Sequence, residues 1–447
     1  MPTKTSGHRK FARSAVAALA ATCLATLSAC SGGSQQPAAQ SVAPDELSGK
    51  LSIVLSSNGP SDKAFEDFTT KFKAKYPKVD AVFTPISNEV YPQTKSAQLT
   101  SGEADIVMTD NVMSYPEYAE FAKAIDQQTL EAGGFLDLTD QAFLKNYTSS
   151  IVDSMRFDGK VYTLPVAVQY VTGLYYNKQI FEDNKLTAPT TWAELQDTMD
   201  KLKKAGIPAF GWGGKDVWPA GLLMNDVVAG VYPTDSDKTA LRDGIWDGSV
   251  KLDADKPLTV MERVQTCFEN SLETSPGLGY DEVPALFAKG KFAMLPDGTW
   301  NHTSVLDAVG DKFEVGYIPF PGGDSATDNK SLDYKLDFTL AINAQSKNPQ
   351  AALAYLEMLS DPENYAAWIN TAGSSPSQPN IKTDDFLDSI ADVTTDAPLV
   401  WEKIWIASPE SGEAAQFPFN YPDIKPLGKD SAADAAKAAQ EAWHPAS

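Results

Sequence analysis

The sequence predicts an α/β protein, because segments patterned as strands alternate with segments patterned as helices. Residues 51–55 form a short apolar run that ends at an Asn-Gly-Pro turn, which is typical of a buried strand. Phe65, Phe68 and Phe72 then recur at intervals of three and four residues, which places the three rings on one face of a helix. Alternation of this kind favours a parallel, doubly wound sheet with helices on both faces.

The next elements continue the alternation. Residues 79–83 predict a second strand, residues 92–100 a polar helix, and residues 104–108 a third strand that ends at Thr109 and Asp110. Polar residues in this position follow the carboxyl end of a strand, where open α/β sheets bind ligands.

Capping signals mark helices later in the chain. Thr191 and Glu194 form a capping box that opens a helix, and Gly206 is expected to end it. Asn348 and Asp361 each precede a proline, which predicts an N-cap followed by proline in the first turn of a helix.

The first 29 residues have the composition of a secretory signal. Four basic residues come first, an uncharged run rich in Ala and Leu covers residues 15–27, and small residues precede Cys30. The run is shorter than the roughly 20 residues that a membrane-spanning helix needs. The Leu-Ser-Ala-Cys sequence resembles a bacterial lipobox, in which Cys30 would be lipidated and become the mature N-terminus. The alternative is an ordinary signal peptide with an incidental Cys.

Residues 30–48 predict a lipidated Cys followed by a flexible tether, because this segment is small, polar and contains proline. The remaining chain, from residue 49, is long enough for two lobes of ordinary size. The formal net charge of -22 disfavours nucleic acid, anionic headgroups and phosphorylated ligands. Loss of Cys23 and lipidation of Cys30 would leave Cys267 alone, so no intramolecular disulfide is expected in the mature chain and Cys267 is expected to pack as an apolar residue.

The motifs of common enzyme classes are missing from the sequence. His302 and His444 are the histidines that remain after the signal, which is too few for a His-rich metal site. Residues 211–216 begin like a dinucleotide-binding loop, but Asp216 stands where the third glycine is needed. We therefore expect no metal and no cofactor. A pair of carboxylates working as a glycosidase remains open, although nothing in the sequence selects the pair.

Six segments, taken in order, resemble those of the extracellular solute-binding proteins of sugar ABC importers, the family-1 type that includes the maltose-binding proteins. They cover nearly the whole chain after the predicted tether. The segments are residues 157–165 (FDGKVYTLP), 173–195 (with YYNK and PTTWAEL), 288–300 (AKGKFAM followed by GTW), 318–323 (IPFPGG), 346–359 and 373–376.

The resemblance implies a two-lobe periplasmic-binding-protein fold of type II, in which each lobe is a doubly wound mixed sheet with flanking helices. Three crossings would join the lobes, near residues 166–170, 337–339 and 374–377. Lobe 1 would then comprise residues 49–166 and 339–375, and lobe 2 residues 170–336 and 377–447. The chain departs from the family at Asp337 and Phe338, where a glycine pair is common.

Aromatic residues are candidates for the walls of a sugar site, because a sugar presents C–H faces that pack on aromatic rings. The resemblance singles out Trp300 as a stacking platform, followed by Trp218 and Trp212. Tyr421 and Trp405, in the aromatic C-terminal stretch, are further candidates. Packing in the core is the alternative role of each ring.

Polar residues near strand ends and crossings are candidates for binding sugar hydroxyls. Asp110 and Asn111 follow the third strand, Asn58 follows the first, and Gln169 lies in the first crossing. Capping or stabilising a turn is the alternative role of the Asn and Asp residues.

The sequence thus predicts a non-enzymatic, monomeric receptor that binds a neutral oligosaccharide between two lobes and delivers it to an ABC permease. It would be anchored by its lipid alone to the outer face of the bacterial cytoplasmic membrane, without binding nucleic acid. A surface lipoprotein glycoside hydrolase and a sugar-sensing receptor without transport are the alternatives.

Overall fold

The structure is a computed structural model that describes residues 46–57, 59–88, 90–110 and 115–445. The predicted signal peptide, Cys30 and residues 31–45 of the predicted tether lie outside these residues. Asn58 and Asn111 also lie outside them, so their predicted roles stay predictions.

The described residues form nine strands. In chain order these are β1 (Gly49–Ser56), β2 (Val79–Ile86), β3 (Ile106–Thr109), β4 (Thr163–Tyr170), β5 (Gly173–Asn177), β6 (Met294–Pro296), β7 (Val315–Pro319), β8 (Tyr334–Ile342) and β9 (Ser375–Pro376).

Sixteen α-helices accompany these strands in the same part of the chain. They are α1 (Gly59–Lys75), α2 (Tyr91–Ser101), α3 (Ile125–Glu131), α4 (Ser149–Ser154), α5 (Lys178–Asp183), α6 (Trp192–Lys204), α7 (Trp218–Val231), α8 (Asp235–Asp247), α9 (Asp255–Glu269), α10 (Val283–Phe287), α11 (His302–Val309), α12 (Pro349–Leu359), α13 (Pro362–Ala372), α14 (Asp385–Ser389), α15 (Ala391–Thr394) and α16 (Ala432–Ala442).

A six-stranded mixed sheet has the order β2-β1-β3-β8-β4-β9. β1 pairs in parallel with β2 and β3, whereas β8 runs antiparallel to β3 and β4. Phe65, Phe68 and Phe72 of α1 are all buried against this sheet and helices α12 and α13, which confirms the predicted aromatic face. We call this part of the molecule the six-stranded half.

A second sheet has the order β6-β5-β7 and packs with a separate apolar core that includes α7, α9 and α16. Its three strands pair antiparallel, and Phe210 adds a parallel bridge to Met294 of β6. We call this part the three-stranded half. Cys267 is fully buried in its core, as predicted from the sequence.

The predicted capping signals are largely confirmed. The side chain of Thr191 accepts a hydrogen bond from Glu194 N, and Asp361 caps α13 through two backbone N–H groups. The Glu194 carboxylate, however, accepts from Thr190 N, one residue before the position that a capping box predicts. Asn348 does not cap α12 with its side chain, because its Nδ2 donates to Ser48 O at 2.9 Å instead.

The three predicted crossings lie side by side in the six-stranded sheet. Ala167 of β4 pairs with Asp337 of β8, and Val168 pairs with Ser375 of β9. Adjacent crossings are what a hinge between two lobes requires, because three neighbouring strands can bend together. The exact lobe boundaries stay a prediction.

Phe338 occupies an unusual backbone conformation at one of these crossings. Its φ is +50°, a left-handed value that glycine adopts readily and a bulky residue adopts at a cost. The ring is buried against Phe65 and Trp368, with centroid distances of 5.6 Å to each. The position at which the sequence departs from the family's glycine pair is therefore one where the backbone favours glycine, and the packing of the Phe338 ring offsets part of that cost.

None of the helices in the described ranges has both the length and the apolar character needed to cross a membrane.

Candidate functional site

Three rings form an aromatic cluster in the three-stranded half, which we define as Trp218, Tyr280 and Trp300. Trp300 lies in a short 3₁₀ helix after β6, and its Nε1 donates to Tyr280 Oη at 2.7 Å. Trp218 opens α7, and its ring centroid lies 4.6 Å from that of Tyr280. Trp218 and Tyr280 are half-buried, whereas Trp300 is 7% exposed. The structure thus brings together two of the predicted aromatic residues.

Gly298 makes room for the Trp300 ring. A Cβ at Gly298 would lie 1.9 Å from Trp300 Cζ3, although the φ of -79° is open to any residue. Glycine is therefore required here by the close approach of the ring and not by the backbone conformation.

Five charged residues gather beside the aromatic cluster, and we call them the charged cluster. Lys335 and Asp337 alternate on one face of β8, while Glu402 and Lys403 belong to a short 3₁₀ helix. Asp110 follows β3, as the sequence predicted. The members are Asp110, Lys335, Asp337, Glu402 and Lys403.

Ion pairs join the members of the charged cluster. Lys335 Nζ lies 3.1 Å from Glu402 Oε1, and Lys403 Nζ lies 3.3 Å from Asp110 Oδ1. Because Asp110 follows a strand of the six-stranded half and Lys403 adjoins the core of the other half, the second pair connects the two halves.

The ion pairs determine how these carboxylates titrate. Lys403 holds the pKa of Asp110 below its ordinary value. Burial by itself would raise the pKa of Glu402, but Lys335 and Lys403 outweigh burial and lower it. For Asp337 burial dominates, so its pKa is raised although both lysines oppose the shift. The site therefore contains two firmly ionised carboxylates and one that is easier to protonate.

Asn225 of α7 lies at the edge of the charged cluster. Its Nδ2 donates to Glu402 Oε2 at 3.2 Å, which fixes the orientation of the amide. Asn225 is 3% exposed, and its Oδ1 has no hydrogen-bond partner among the described residues. A buried acceptor without a partner costs about 1–3 kcal/mol, so a ligand hydroxyl that donates to it would recover this free energy.

Tyr421 packs on the same helix. It is 2% exposed, and a Cβ at Gly221 of α7 would lie 2.7 Å from its Oη. Burial, with Glu402 as a smaller cause, raises the pKa of Tyr421 to about 12. Phe417, which is 47% exposed, lies 5.5 Å from the Tyr421 ring and presents the more accessible surface.

Three residues that the sequence placed in the site make hydrogen bonds within the protein in this conformation, and their binding roles stay predictions. Trp212 is 1% exposed, and its Nε1 donates to Ser271 Oγ at 2.8 Å within the core. Trp405 is half-buried, and its Nε1 donates to Gln416 O. The third is Gln169.

Gln169 is fully buried, and it connects the first predicted crossing to Ser374 in the third and to Thr299. Its Nε2 donates to Ser374 Oγ at 2.8 Å, and its Oε1 accepts from Thr299 Oγ1 at 3.2 Å. Both ends of the amide are therefore engaged within the protein.

Other members of the site were missed by the sequence analysis: Tyr280, Lys335, Glu402, Lys403 and Asn225. Lys335 and Asp337 gave a usable signal, because two charged residues alternate in a strand that is otherwise apolar. Tyr280 and Glu402 gave none, since only the folded chain brings them together.

A surface groove of about 1050 Å³ lies elsewhere, between α1, α12 and α13 of the six-stranded half. It contains no member of the aromatic or charged cluster. Within the part of the chain that the structure describes, no group of three or more His, Cys, Asp or Glu side chains is placed to hold a metal ion.

The sequence profile of the bacterial extracellular solute-binding proteins matches residues 56–366. The chain belongs to this family. It is 25% identical over 367 residues to an uncharacterized ABC transporter extracellular-binding protein of Pyrococcus horikoshii. The aligned region is 80% of this chain and 78% of the relative. It is 23% identical over 327 residues to the multiple sugar-binding protein of Streptococcus mutans, which covers 72% of this chain and 74% of the relative.

Solved structures confirm the predicted fold class. The solute-binding protein RafE in complex with raffinose superposes with a TM-score of 0.69 and 22% identity, over 87% of this chain and 98% of that chain. The chain therefore has the two-lobed α/β fold of solute-binding proteins. As a member of an extracellular family of binding proteins, it acts outside the cytoplasm.

Proposed function

We propose that this member of the extracellular solute-binding family binds a neutral oligosaccharide at the aromatic and charged clusters and delivers it to an ABC permease. The observation that carries the proposal is the adjacency of the two clusters. Aromatic faces accommodate the C–H side of a sugar, and carboxylate, ammonium and amide groups bind its hydroxyls. The relatives support the class of ligand, since one is a multiple sugar-binding protein and one structural neighbour holds raffinose.

The charges favour a neutral ligand. The charged cluster has three carboxylates and two ammonium groups, and the whole chain carries -22. An anionic ligand would have to approach this surplus of negative charge, whereas hydroxyls can bind to the ionised groups through charge-assisted hydrogen bonds.

Calorimetric titration of the mature chain tests the proposal. The panel would contain neutral oligosaccharides of two to five units, an amino acid and a sugar phosphate. We expect at least one neutral oligosaccharide to bind with a Kd at or below about 1 μM. Binding of the amino acid or the sugar phosphate, with no response to any neutral sugar, would contradict the proposal.

The same samples test whether the protein is a receptor or a hydrolase. We expect each bound oligosaccharide to be recovered intact after overnight incubation, because a receptor releases its ligand unchanged. Shorter products whose formation stops in a Glu402→Gln variant would establish a glycosidase instead. Loss of uptake of the bound sugar on deletion of the gene would distinguish transport from sensing.

The anchoring of the chain is part of the same proposal. Attachment through a lipidated Cys30 would keep the receptor at the outer face of the cytoplasmic membrane, where the permease lies. We expect Cys30→Ser to move the protein from the membrane fraction into the medium. Continued membrane association of that variant would contradict the lipid anchor. Sedimentation of the mature chain at the mass of one copy would support a monomer.

A further inference from the structure

Two hydrogen bonds in series connect Trp300 to a buried carboxylate. Trp300 Nε1 donates to Tyr280 Oη at 2.7 Å, and Tyr280 Oη lies 3.1 and 3.0 Å from the two oxygens of Asp297, to which it donates. Asp297 is 1% exposed. It stands three residues before Trp300, on the segment that carries the ring.

Further donors fix the Asp297 carboxylate. Gly298 N donates to Oδ1 at 2.8 Å, and Asn301 Nδ2 donates to Oδ2 at 2.7 Å. With Tyr280, three donors converge on one carboxylate, which is an arrangement that suits its ionised form. Tyr280 comes from a separate segment, so the carboxylate ties that segment to the short helix of Trp300.

We propose that Asp297 is a positioning residue for the ligand site, which acts through the Tyr280 hydroxyl to fix the plane of the Trp300 ring. This inference rests on the proposed function, because it assumes that a sugar packs on the ring. It goes beyond that function by assigning a role to a buried carboxylate that belongs to neither cluster.

The protonation state of Asp297 controls the direction of the hydrogen bonds. An ionised carboxylate accepts from Tyr280, which leaves the lone pairs of Oη for the indole N–H of Trp300. A protonated carboxyl would donate to the same oxygen and compete with the indole N–H. Acidification should therefore loosen the ring and weaken ligand binding.

The surroundings of Asp297 place this change in an accessible pH range. Burial raises the pKa of Asp297 to about 7, although the hydrogen bonds from Asn301, Tyr280 and Gly298 oppose the shift. The titratable groups that face Asp297 from neighbouring elements are Tyr175 of β5, Asp226 of α7, Tyr317 of β7 and, from the short segment before α10, Tyr280.

Asp226 provides a matched control. It is fully buried in the same half, and burial raises its pKa well above the ordinary value. Neither of its oxygens has a hydrogen-bond partner in the described part of the chain, so no hydrogen bond joins it to Tyr280 or Trp300. Asp226→Asn should change stability without changing how affinity depends on pH.

The first experiment measures affinity against pH for the neutral oligosaccharide that binds most tightly in the calorimetric panel, with wild type, Asp297→Asn, Tyr280→Phe and Asp226→Asn. If only the ionised form holds the ring, wild-type affinity falls about tenfold from pH 8 to pH 6. Asp297→Asn and Tyr280→Phe should bind about tenfold more weakly at pH 8 and lose the pH dependence, while Asp226→Asn keeps the wild-type profile. The double variant should be no weaker than either single variant, because both changes break the same chain of bonds.

The second experiment observes the ring without ligand. In protein labelled with ¹⁵N-tryptophan, the Nε1–H resonance of Trp300 is identified by its loss in Trp300→Phe. We expect this resonance to titrate with a midpoint near pH 7 in wild type and in Asp226→Asn, and to stay constant in Asp297→Asn. A resonance that does not titrate in wild type would overturn the proposal.

The two experiments separate this inference from the proposed function. If no neutral sugar binds but the indole resonance follows Asp297, the function fails, while the coupling of the Trp300 ring to Asp297 holds. If sugar binds with the same affinity at pH 6 and pH 8, the function holds and the positioning role is wrong.

Discussion

Lys335 Nζ lies 5.3 Å from the centroid of the Trp300 ring, so an ammonium group stands over the ring that the sequence singled out as the stacking platform. The same ammonium lies 3.1 Å from Glu402 Oε1. A cation over an aromatic ring contributes about 0.5–1 kcal/mol at an exposed site. Lys335 thus joins the aromatic cluster to the charged cluster, and a ligand that packs on Trp300 meets this ammonium.

The first prediction concerns Lys335→Met. We expect ligand affinity to fall about tenfold, because a charge-assisted donor to a sugar hydroxyl contributes roughly 1.5–3 kcal/mol and Glu402 also loses its ion-pair partner. Calorimetry with the ligand found in the panel measures the change, and Lys330→Met, at an exposed lysine five residues away, is the control. Tighter binding by Lys335→Met would mean that the ammonium blocks the ring.

The second prediction compares two buried indoles. Trp300→Phe and Trp212→Phe both remove an N–H group that donates inside the protein, to Tyr280 and to Ser271 respectively. Both should lower the melting temperature. Only Trp300→Phe should weaken ligand binding, by about tenfold, because anchor residues at binding sites typically cost 1–2 kcal/mol or more when trimmed.

Trp300→Ala would separate binding from stability less clearly than these two variants. At 7% exposure, and packed with Leu222 and Val400, the ring is part of the core as well as of the proposed site. Complete truncation would cost about 3–5 kcal/mol of stability. Equal affinity losses in Trp300→Phe and Trp212→Phe would show that the effect is one of stability alone.

The third prediction uses the space at Gly298. Gly298→Ala should displace the Trp300 ring, because the new Cβ would lie 1.9 Å from Cζ3. Overpacking of this kind costs about 1–3 kcal/mol, and we expect affinity to fall about tenfold. Gly277→Ala is the control, since no atom lies within 4 Å of its Cβ position. A crystal structure of Gly298→Ala with the ring displaced and wild-type affinity would remove Trp300 from the site.

The fourth prediction concerns stability against pH. Burial raises the pKa of Asp297 to about 7, and burial raises that of Asp333 to about 7 although Lys238 opposes the shift. Between pH 4 and pH 7 the folded state therefore binds more protons at these sites than the unfolded state, so their contribution to stability is present at low pH and is lost as the pH rises through 7. Lysine-paired carboxylates such as Asp110 titrate below this range.

We therefore expect the difference in melting temperature, wild type minus Asp297→Asn, to be larger at pH 5.5 than at pH 8. Scanning calorimetry at the two pH values measures this difference. An identical difference at both pH values would show that Asp297 does not titrate in this range. Acid would thus stabilise the fold while weakening the binding of ligand, and a purely structural carboxylate would show only the first effect.

The sequence predicted those features that depend on neighbours along the chain. The face formed by Phe65, Phe68 and Phe72 and the caps at Thr191 and Asp361 are local patterns, and the structure confirms them. The first and last residues of each element were predicted less accurately. The predicted strand 104–108, for example, is Ile106–Thr109 in the structure.

The site could be predicted only in part, because distant segments build it. Trp212 and Trp300 both lie within two residues of a glycine in the sequence, which does not show which of them faces a ligand. Tertiary packing places Trp212 against Phe268 in the core and Trp300 beside Tyr280 and Lys335. An extended search for alternating charges within apolar strands would have found Lys335, but not its partner Glu402.

The structure of the protein with a bound neutral oligosaccharide tests the central claim most directly. Our account predicts a sugar ring in contact, within about 4 Å, with Trp300 or Trp218. It also predicts a sugar hydroxyl that donates to Asn225 Oδ1, which has no partner among the described residues. A ligand bound in the groove between α1, α12 and α13, with both clusters unchanged from the free protein, would contradict it.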